Sequence, residues 1–258
     1  MDLGLTDKIV CIAGSTRGIG KGVAEAFLNE GARVIVTGRE TEILCRVGKE
    51  MQESWGVDHV LLIEGDLTQA HTVQQCMEKI QREWGGMDIL VANIGSGRGQ
   101  SGWSVDSQEW TRLLNVNLVG SALLANAAVP LLEERPGASI VFISSLAGVE
   151  ALPAPLPYAA AKAGVIALAK SLSRLLASRG IRVNTVAPGN ILFEHGVWHR
   201  KLQEDAAGVA RYLAAEVPLN RLGAVQEVAD SVVFLSSARA SFVTGACLLV
   251  DGGQARSW

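Results

Sequence analysis

Short, almost wholly apolar runs recur along this chain, and they limit its fold more than any other feature. They read KIVCIAG (8–14), RVIVTG (33–38), HVLLIEGD (59–66), DILVANIG (88–95), ASIVFIS (138–144), IRVNTVAPG (181–189) and ACLLVDGG (246–253). Apolar residues occupy successive positions rather than alternate ones, which suits strands buried on both faces. Amphipathic segments such as KGVAEAFLNEG (21–31) lie between them and end at helix-stopping glycines such as Gly31. Strands that alternate with helices need crossover connections, and these build a parallel sheet with helices on both faces. The expected fold is α/β, a doubly wound (Rossmann) sheet of about seven strands. With 258 residues and no Ser/Gly/Pro-rich linker, one domain accounts for the whole chain.

One stretch breaks the rhythm. Residues 190–217, NILFEHGVWHRKLQEDAAGVARYLAAEV, follow a strand and are too long for an ordinary connection. They are expected to form a wall over the substrate, with Phe193, Trp198 and His195 as its lining.

Charge and cysteine usage exclude several classes. The net charge is −3 with no run of like charges, so no nucleic-acid surface is expected. The four cysteines show no CxxC and no nearby histidine at ligand spacing, so no metal site is expected and the thiols read as small core residues in a reducing compartment. The N-terminus lacks the basic-then-apolar pattern of a signal peptide. The most apolar stretch, LVGSALLANAAVPLL, contains Ser121, Asn126 and Pro130, which a membrane span would have to bury. A soluble cytoplasmic protein is expected.

The first strand runs into AGSTRGIGKGVAEAF, with glycines at 14, 18 and 20. A strand, a Gly-rich turn and a helix together let backbone N–H groups and the helix dipole approach a pyrophosphate. Dinucleotide folds read the adenosine ribose at the end of the second strand. That strand end is VTGRE, which offers Arg39 where a carboxylate would take a 2′-hydroxyl, and Arg17 lies in the glycine turn. Two guanidiniums suit a 2′-phosphate, so NADP(H) is expected over NAD(H). Asp66 ends the third strand, where it accepts the adenine amine or caps the next helix.

Tyr158 and Lys162 stand four apart on one helix face, and Ser145 ends the preceding strand. A neighbouring cation lowers the pKa of a phenol from about 10 and a positively charged nicotinamide adds to that, so with both close by Tyr158 is expected to ionise below that value and to pass a proton to or from a substrate oxygen. The Ser145 hydroxyl holds the same oxygen.

These residues make the whole chain resemble the short-chain dehydrogenase/reductase family. Its T-G-x-x-x-G-x-G is similar to Ala13–Gly20, its N-N-A-G to Ala92–Gly95, its P-G to Pro188–Gly189, and its closing D-G-G to Asp251–Gly253. The resemblance assigns Asn117 of NVNLVG, rather than Asn115, as the fourth catalytic residue beside Ser145, Tyr158 and Lys162. It implies cofactor contacts from Gly14, Ser15, Thr16, Arg17, Gly18, Ile19, Gly20, Arg39, Asp66, Leu67, Asn93, Gly95, Pro188, Gly189 and Ile191, as well as from Tyr158 and Lys162. It also implies that Lys162 bonds the nicotinamide ribose and that Asn117 holds a relay water. Ala13 in place of Thr, Ala92 and Ile94 in N-N-A-G, and Phe193 in place of a carboxamide-binding Thr depart from the pattern. Within the family the chain is similar to 3-oxoacyl-(acyl-carrier-protein) reductases and to glucose 1-dehydrogenase-like members. The implied activity is hydride transfer between NADP(H) and a small-molecule or acyl-carrier-linked carbonyl. An NAD-linked sugar or alcohol dehydrogenase and a cofactor-binding regulator without turnover are the alternatives. The helical segments 106–134 and 155–178 are apolar beyond the needs of one sheet face, which suggests self-association, and the resemblance implies a homotetramer.

Overall fold

The computed structural model describes residues 2–256. Its strands are β1 (Ile9–Ile12), β2 (Arg33–Gly38), β3 (Val60–Glu64), β4 (Ile89–Ala92), β5 (Ser139–Ile143), β6 (Arg182–Pro188), β7 (Ile191–Leu192), β8 (Gly223–Ala224) and β9 (Cys247–Val250). The helices are α1 (Gly18–Asn29), α2 (Thr41–Trp55), α3 (Ala70–Trp84), α4 (Ser107–Leu114), α5 (Gly120–Glu133), α6 (Leu156–Leu175), α7 (Val197–Glu204), α8 (Ala206–Glu216) and α9 (Val225–Ser236). Seven strands form one parallel sheet in the order β3-β2-β1-β4-β5-β6-β9, and β7 pairs with β8 apart from it. All seven sheet strands coincide with the seven apolar runs.

Continuous apolarity has its reason in two cores. Val10 and Ile12 face one core with α1, α2 and α9, while Ile9 and Cys11 face the other with α3, α5 and α6. Successive β-strand side chains point to opposite faces, so a strand covered on both sides has no polar position to spare.

The crossover from β3 returns the chain to the other side of β1, so strand order reverses between β1 and β4. Loops after β1 and β4 part there and open a crevice at the strand C-termini.

Residues Ser107–Glu133 form one 27-residue helix, long and apolar enough by length and composition to cross a membrane. Its middle, Asn115–Val119, is a π turn between α4 and α5. Leu113, Asn117, Ser121, Leu124, Ala128 and Leu132 form a buried stripe at spacings of three and four, and α5 packs on α3 and β4. Such a stripe is what a layer helix of a doubly wound sheet presents.

The 190–217 stretch holds β7, α7 and α8 around a small core of its own, where Val209, Leu213 and Val217 pack with Trp198, Leu202, Tyr212 and Leu222. All four cysteines are free thiols; Cys11 and Cys76 are buried against each other, and Cys45 is exposed.

Candidate active site

A cleft of about 680 Å³ lies at the C-terminal ends of β1, β2, β4, β5 and β6. Every expected cofactor contact lines it except Ser15. Ser15 is fully buried under the turn: its hydroxyl donates to the Ile12 carbonyl (2.8 Å), and its own N–H donates to Thr37 O. Ser15 supports the turn from below and does not line the cleft.

The hydroxyl missing at Ala13 is supplied by Thr37 of β2. Its Oγ1 accepts from Gly14 N (2.9 Å) and donates to Ile12 O (3.0 Å), and it is buried. Asn93 braces the turn from the other side, where its Nδ2 donates to the Ala13 and Gly14 carbonyls, each at 3.1 Å. The turn is thus fixed by β2 and by the loop after β4. Helix α1 then starts at Gly18 with no side-chain cap from Arg17, so its first N–H groups are left without an acceptor among the described residues at the edge of the cleft. A pyrophosphate fits such an end, and a Cβ at Gly20 would collide with the Gly14 carbonyl.

Arg17 and Arg39 both line the β2 end of the cleft and are exposed. Neither has an ion-pair partner among the described residues. Asp66 lies nearby with Oδ1 committed to Thr68, accepting from its N–H (3.0 Å) and its hydroxyl (2.8 Å). It therefore shapes the loop after β3; Gln69, not Asp66, stands at the N-cap of α3.

The catalytic group forms where α6 docks on the end of β5. Three prolines deliver the chain to α6, with Pro155 at its N-cap and Pro157 in its first turn, which sets the helix start just ahead of Tyr158. Two bonds fasten the helix to the strand end: the Ser144 hydroxyl donates to Lys162 O (2.7 Å), and Lys162 Nζ donates to Ile143 O (2.8 Å). Ser145 caps the short turn 146–148 by accepting from Ala147 N (3.2 Å), and its side chain is hydrogen-bonded to the Tyr158 hydroxyl. Tyr158, Ser145 and Lys162 therefore meet at one point of the cleft.

Electrostatics at that point differ from the expectation. Burial pushes the Tyr158 phenol above its ordinary value, against the smaller opposing effect of the Ser145 hydrogen bond. Lys162 does not lower it: Nζ is turned to the Ile143 carbonyl, 5.9 Å from the phenol ring centroid. Burial instead brings the Lys162 ammonium down to about 8. At neutral pH the phenol is thus protonated and the lysine is charged.

Asn117 is buried while Asn115 is exposed. Its side chain is bonded within the protein. Nδ2 donates to Leu113 O (3.0 Å) and Ser96 O (3.2 Å), and Oδ1 accepts from Ser96 N (3.0 Å). The amide tethers the loop after β4 and lies beneath the cleft rather than on it. A Cβ on Gly95 would stand 2.7 Å from Asn117 Oδ1 and 3.1 Å from Lys162 Nζ, so only glycine passes between these two groups.

Of the expected substrate wall, Phe193 leans back on the glycine turn: a Cβ at Gly18 would meet its ring at 2.9 Å. It lines the cleft, and its ring packs on the core edge beside α1. Trp198 lines the cleft but stacks one face on Tyr212, with centroids 5.2 Å apart and planes at 26°. His195 lines the rim and is exposed.

Sequence reasoning missed Asn190, Tyr212 and the C-terminal segment. Asn190 directly follows Pro188-Gly189, and Tyr212 is one of only two tyrosines in the chain, but nothing in the sequence joins them. In the structure Gln254 bonds both, and Arg256 links the segment after β5 to α8: its N–H donates to Glu150 Oε1 (3.0 Å) and its guanidinium pairs with Glu216 of α8 (3.0 Å).

Comparison with known proteins agrees with this geometry. The family described as enoyl-(acyl carrier protein) reductase matches residues 13–255. The 3-oxoacyl-(acyl-carrier-protein) reductase of Thermotoga maritima is 36% identical over 250 residues, covering 96% of this chain and 98% of the relative. An uncharacterised oxidoreductase of Bacillus subtilis is 33% identical over 266 residues, covering 100% of both chains. The L-sorbose reductase of Gluconobacter frateurii, solved with NADPH and L-sorbose, superposes with a TM-score of 0.93 at 30% identity over 100% of both chains. An NADPH-bound short-chain oxidoreductase of Pseudomonas aeruginosa gives a TM-score of 0.91 at 30% identity, covering 97% of this chain and 98% of that one. With matches that span the chain from end to end, over a sheet, turn and Ser-Tyr-Lys group of this geometry, the protein belongs to the short-chain dehydrogenase/reductase family of oxidoreductases.

Proposed function

We propose that the protein is an NADP(H)-dependent carbonyl reductase in which Tyr158 donates the proton. The observation that carries this reading is the meeting of Tyr158, Ser145 and Lys162 in one cleft with Arg17 and Arg39, neither of which has an ion-pair partner among the described residues. When bound, the reduced nicotinamide supplies the hydride. The chain's residues do the rest. Ser145 and Tyr158 present two hydroxyls to one carbonyl oxygen, which polarises the carbon beneath it. Tyr158 Oη then gives up its proton as the oxygen gains charge. The Lys162 ammonium, one helical turn away, donates to Ile143 O and so fastens α6 to the end of β5, which holds Tyr158 at Ser145. Arg17 and Arg39 receive the 2′-phosphate, a match supported by NADPH in both solved relatives.

The carbonyl is a small ketone or an acyl-carrier-linked 3-oxoacyl group, the latter following the names of the bacterial relatives. One observation favours an NAD-linked dehydrogenase instead: Glu40 also lines the cleft beside Arg39, and a carboxylate there suits a 2′-hydroxyl. A panel of ketones, 3-oxoacyl thioesters and polyols, followed by NADPH and NADH absorbance, decides between them. Faster NADPH than NADH consumption with a carbonyl is the expected result; polyol oxidation with NAD alone overturns it.

The chain assembles as a homotetramer. Support comes from two separate apolar faces: Val119, Leu156 and Leu175 on the α5–α6 side, and Phe234, Phe242 and Leu248 beside the edge strand β9, where Phe242 is wholly exposed. Two self-complementary faces generate a dihedral tetramer. Light scattering should return four times the chain mass, and Phe242→Asp should halve it; a parent protein that runs as a monomer refutes the assembly. Free thiols, one of them exposed, fit a cytoplasmic location.

A further inference from the structure

We infer that Tyr212 is a specificity-determining residue, a hydrogen-bond donor that selects carbonyl substrates bearing a second oxygen acceptor. The inference rests on the carbonyl-reductase reading and concerns a residue outside the Ser-Tyr-Lys group.

Tyr212 lines the cleft from α8, and its hydroxyl is held by two amides. Gln254 Nε2 donates to it at 2.7 Å, and Asn190 Nδ2 donates at 3.3 Å. The amides also hold each other, Asn190 Nδ2 donating to Gln254 Oε1 at 2.8 Å. Gln254 is 4% exposed, so this network is shielded from solvent on the tail side.

A phenol oxygen has two lone pairs and one proton. Here both lone pairs receive N–H donors, so the hydroxyl cannot turn to accept from anything else. Its proton has no acceptor among the described residues, and Tyr212 lines the cleft. A group entering that space must therefore offer an acceptor oxygen or leave the proton unmatched, and sites built to bond a polar group discriminate against analogues that lack it. Ring position is fixed independently. Trp198 stacks on Tyr212, and Lys201 Nζ sits 4.4 Å from the Trp198 ring centroid, so the phenol cannot swing away. The second oxygen is chemically a hydroxyl, an ester or thioester carbonyl, or a further ketone. A carbonyl compound with oxygen at the reacting carbon alone does not engage Tyr212.

Tyr212→Phe tests this, because the ring and its stacking on Trp198 survive while the donor is lost. The probes are ethyl acetoacetate and hydroxyacetone, each paired with an unfunctionalised ketone of matched length, with NADPH consumption followed in the full chain. For the two-oxygen probes the expected result is a KM about ten-fold higher with kcat nearly unchanged, as one lost hydrogen bond gives. For the plain ketones KM and kcat stay within two-fold, and the NADPH dissociation constant does not move. Gln254→Leu, which removes the stronger of the two donors, should show the same selective KM rise to a lesser degree, and it carries the test if Tyr212→Phe does not fold. Equal losses on both probe classes, or no loss on either, overturn the inference and leave the function standing. A parent protein that reduces none of the probes, nor any 3-oxoacyl thioester, overturns the carbonyl-reductase reading and this inference with it.

Discussion

Tyr158→Phe is expected to lower turnover by about 10²–10⁴-fold, the range typical of a lost proton donor, while leaving NADPH binding intact. Phenylalanine keeps the ring beneath the loop after β4 and takes away only the hydroxyl that meets Ser145. The pH profile supplies a second, independent readout. Burial raises the Tyr158 phenol, so it stays protonated through neutral pH and does not limit reduction there. Lys162 is the first of the pair to titrate. Its charged form predominates below about 8 and is lost above it. The kcat/KM for NADPH reports ionisations of the free enzyme, so it should hold level on the acid side and fall as pH rises through about 8. Lys162→Met should remove that limb and depress activity across the range. Near-normal turnover in the Phe variant would show that another group delivers the proton.

Arg39→Asp is expected to invert cofactor choice. The parent should bind NADPH at least ten-fold tighter than NADH, since one phosphate–guanidinium bond is worth about 1.5–3 kcal/mol. The substitution removes that bond, sets a carboxylate beside Glu40 against the 2′-phosphate, and offers the 2′-hydroxyl of NADH an acceptor. The combined swing should reach roughly 10²-fold in the ratio of dissociation constants, measured by fluorescence titration. Both arginines are exposed, so raising the salt concentration should erode the parent's preference as well. Equal affinities in the parent would show that the two guanidiniums do not read the phosphate.

Much of this could be read from the chain itself because the signals are local. A strand covered on both faces has to be apolar at consecutive positions, so all seven sheet strands were legible. The glycine turn is a strand, a turn and a helix in immediate succession, and Tyr158 and Lys162 share a face because a helix has a fixed period. What escaped depends on distance in sequence or on how polar tips turn. Proximity of an ammonium predicted a lowered phenol, but Lys162 spends its Nζ on the Ile143 carbonyl, and burial then decides the sign. The hydroxyl absent at Ala13 arrives from Thr37, which no turn motif would search. Phe193 and Trp198 both line the cleft, but the neighbours they pack on, Gly18 with the core edge for one and Tyr212 for the other, lie beyond the reach of a local pattern. Gln254 lies 42 residues from Tyr212, too far for any periodic pattern to connect them.

That last link bears on how this scaffold can be recombined. The segment after β5 and helix α8 come from separate crossovers, yet the stretch from Asp251 to Arg256 joins them: Gln254 to Tyr212 and Asn190, Arg256 to Glu150 and to Glu216. A chimera that imports residues 190–217 from a relative but keeps this tail would mate a foreign helix pair with fasteners shaped for the native one. Grafts of 190–217 that change substrate range should therefore carry 251–256 with them.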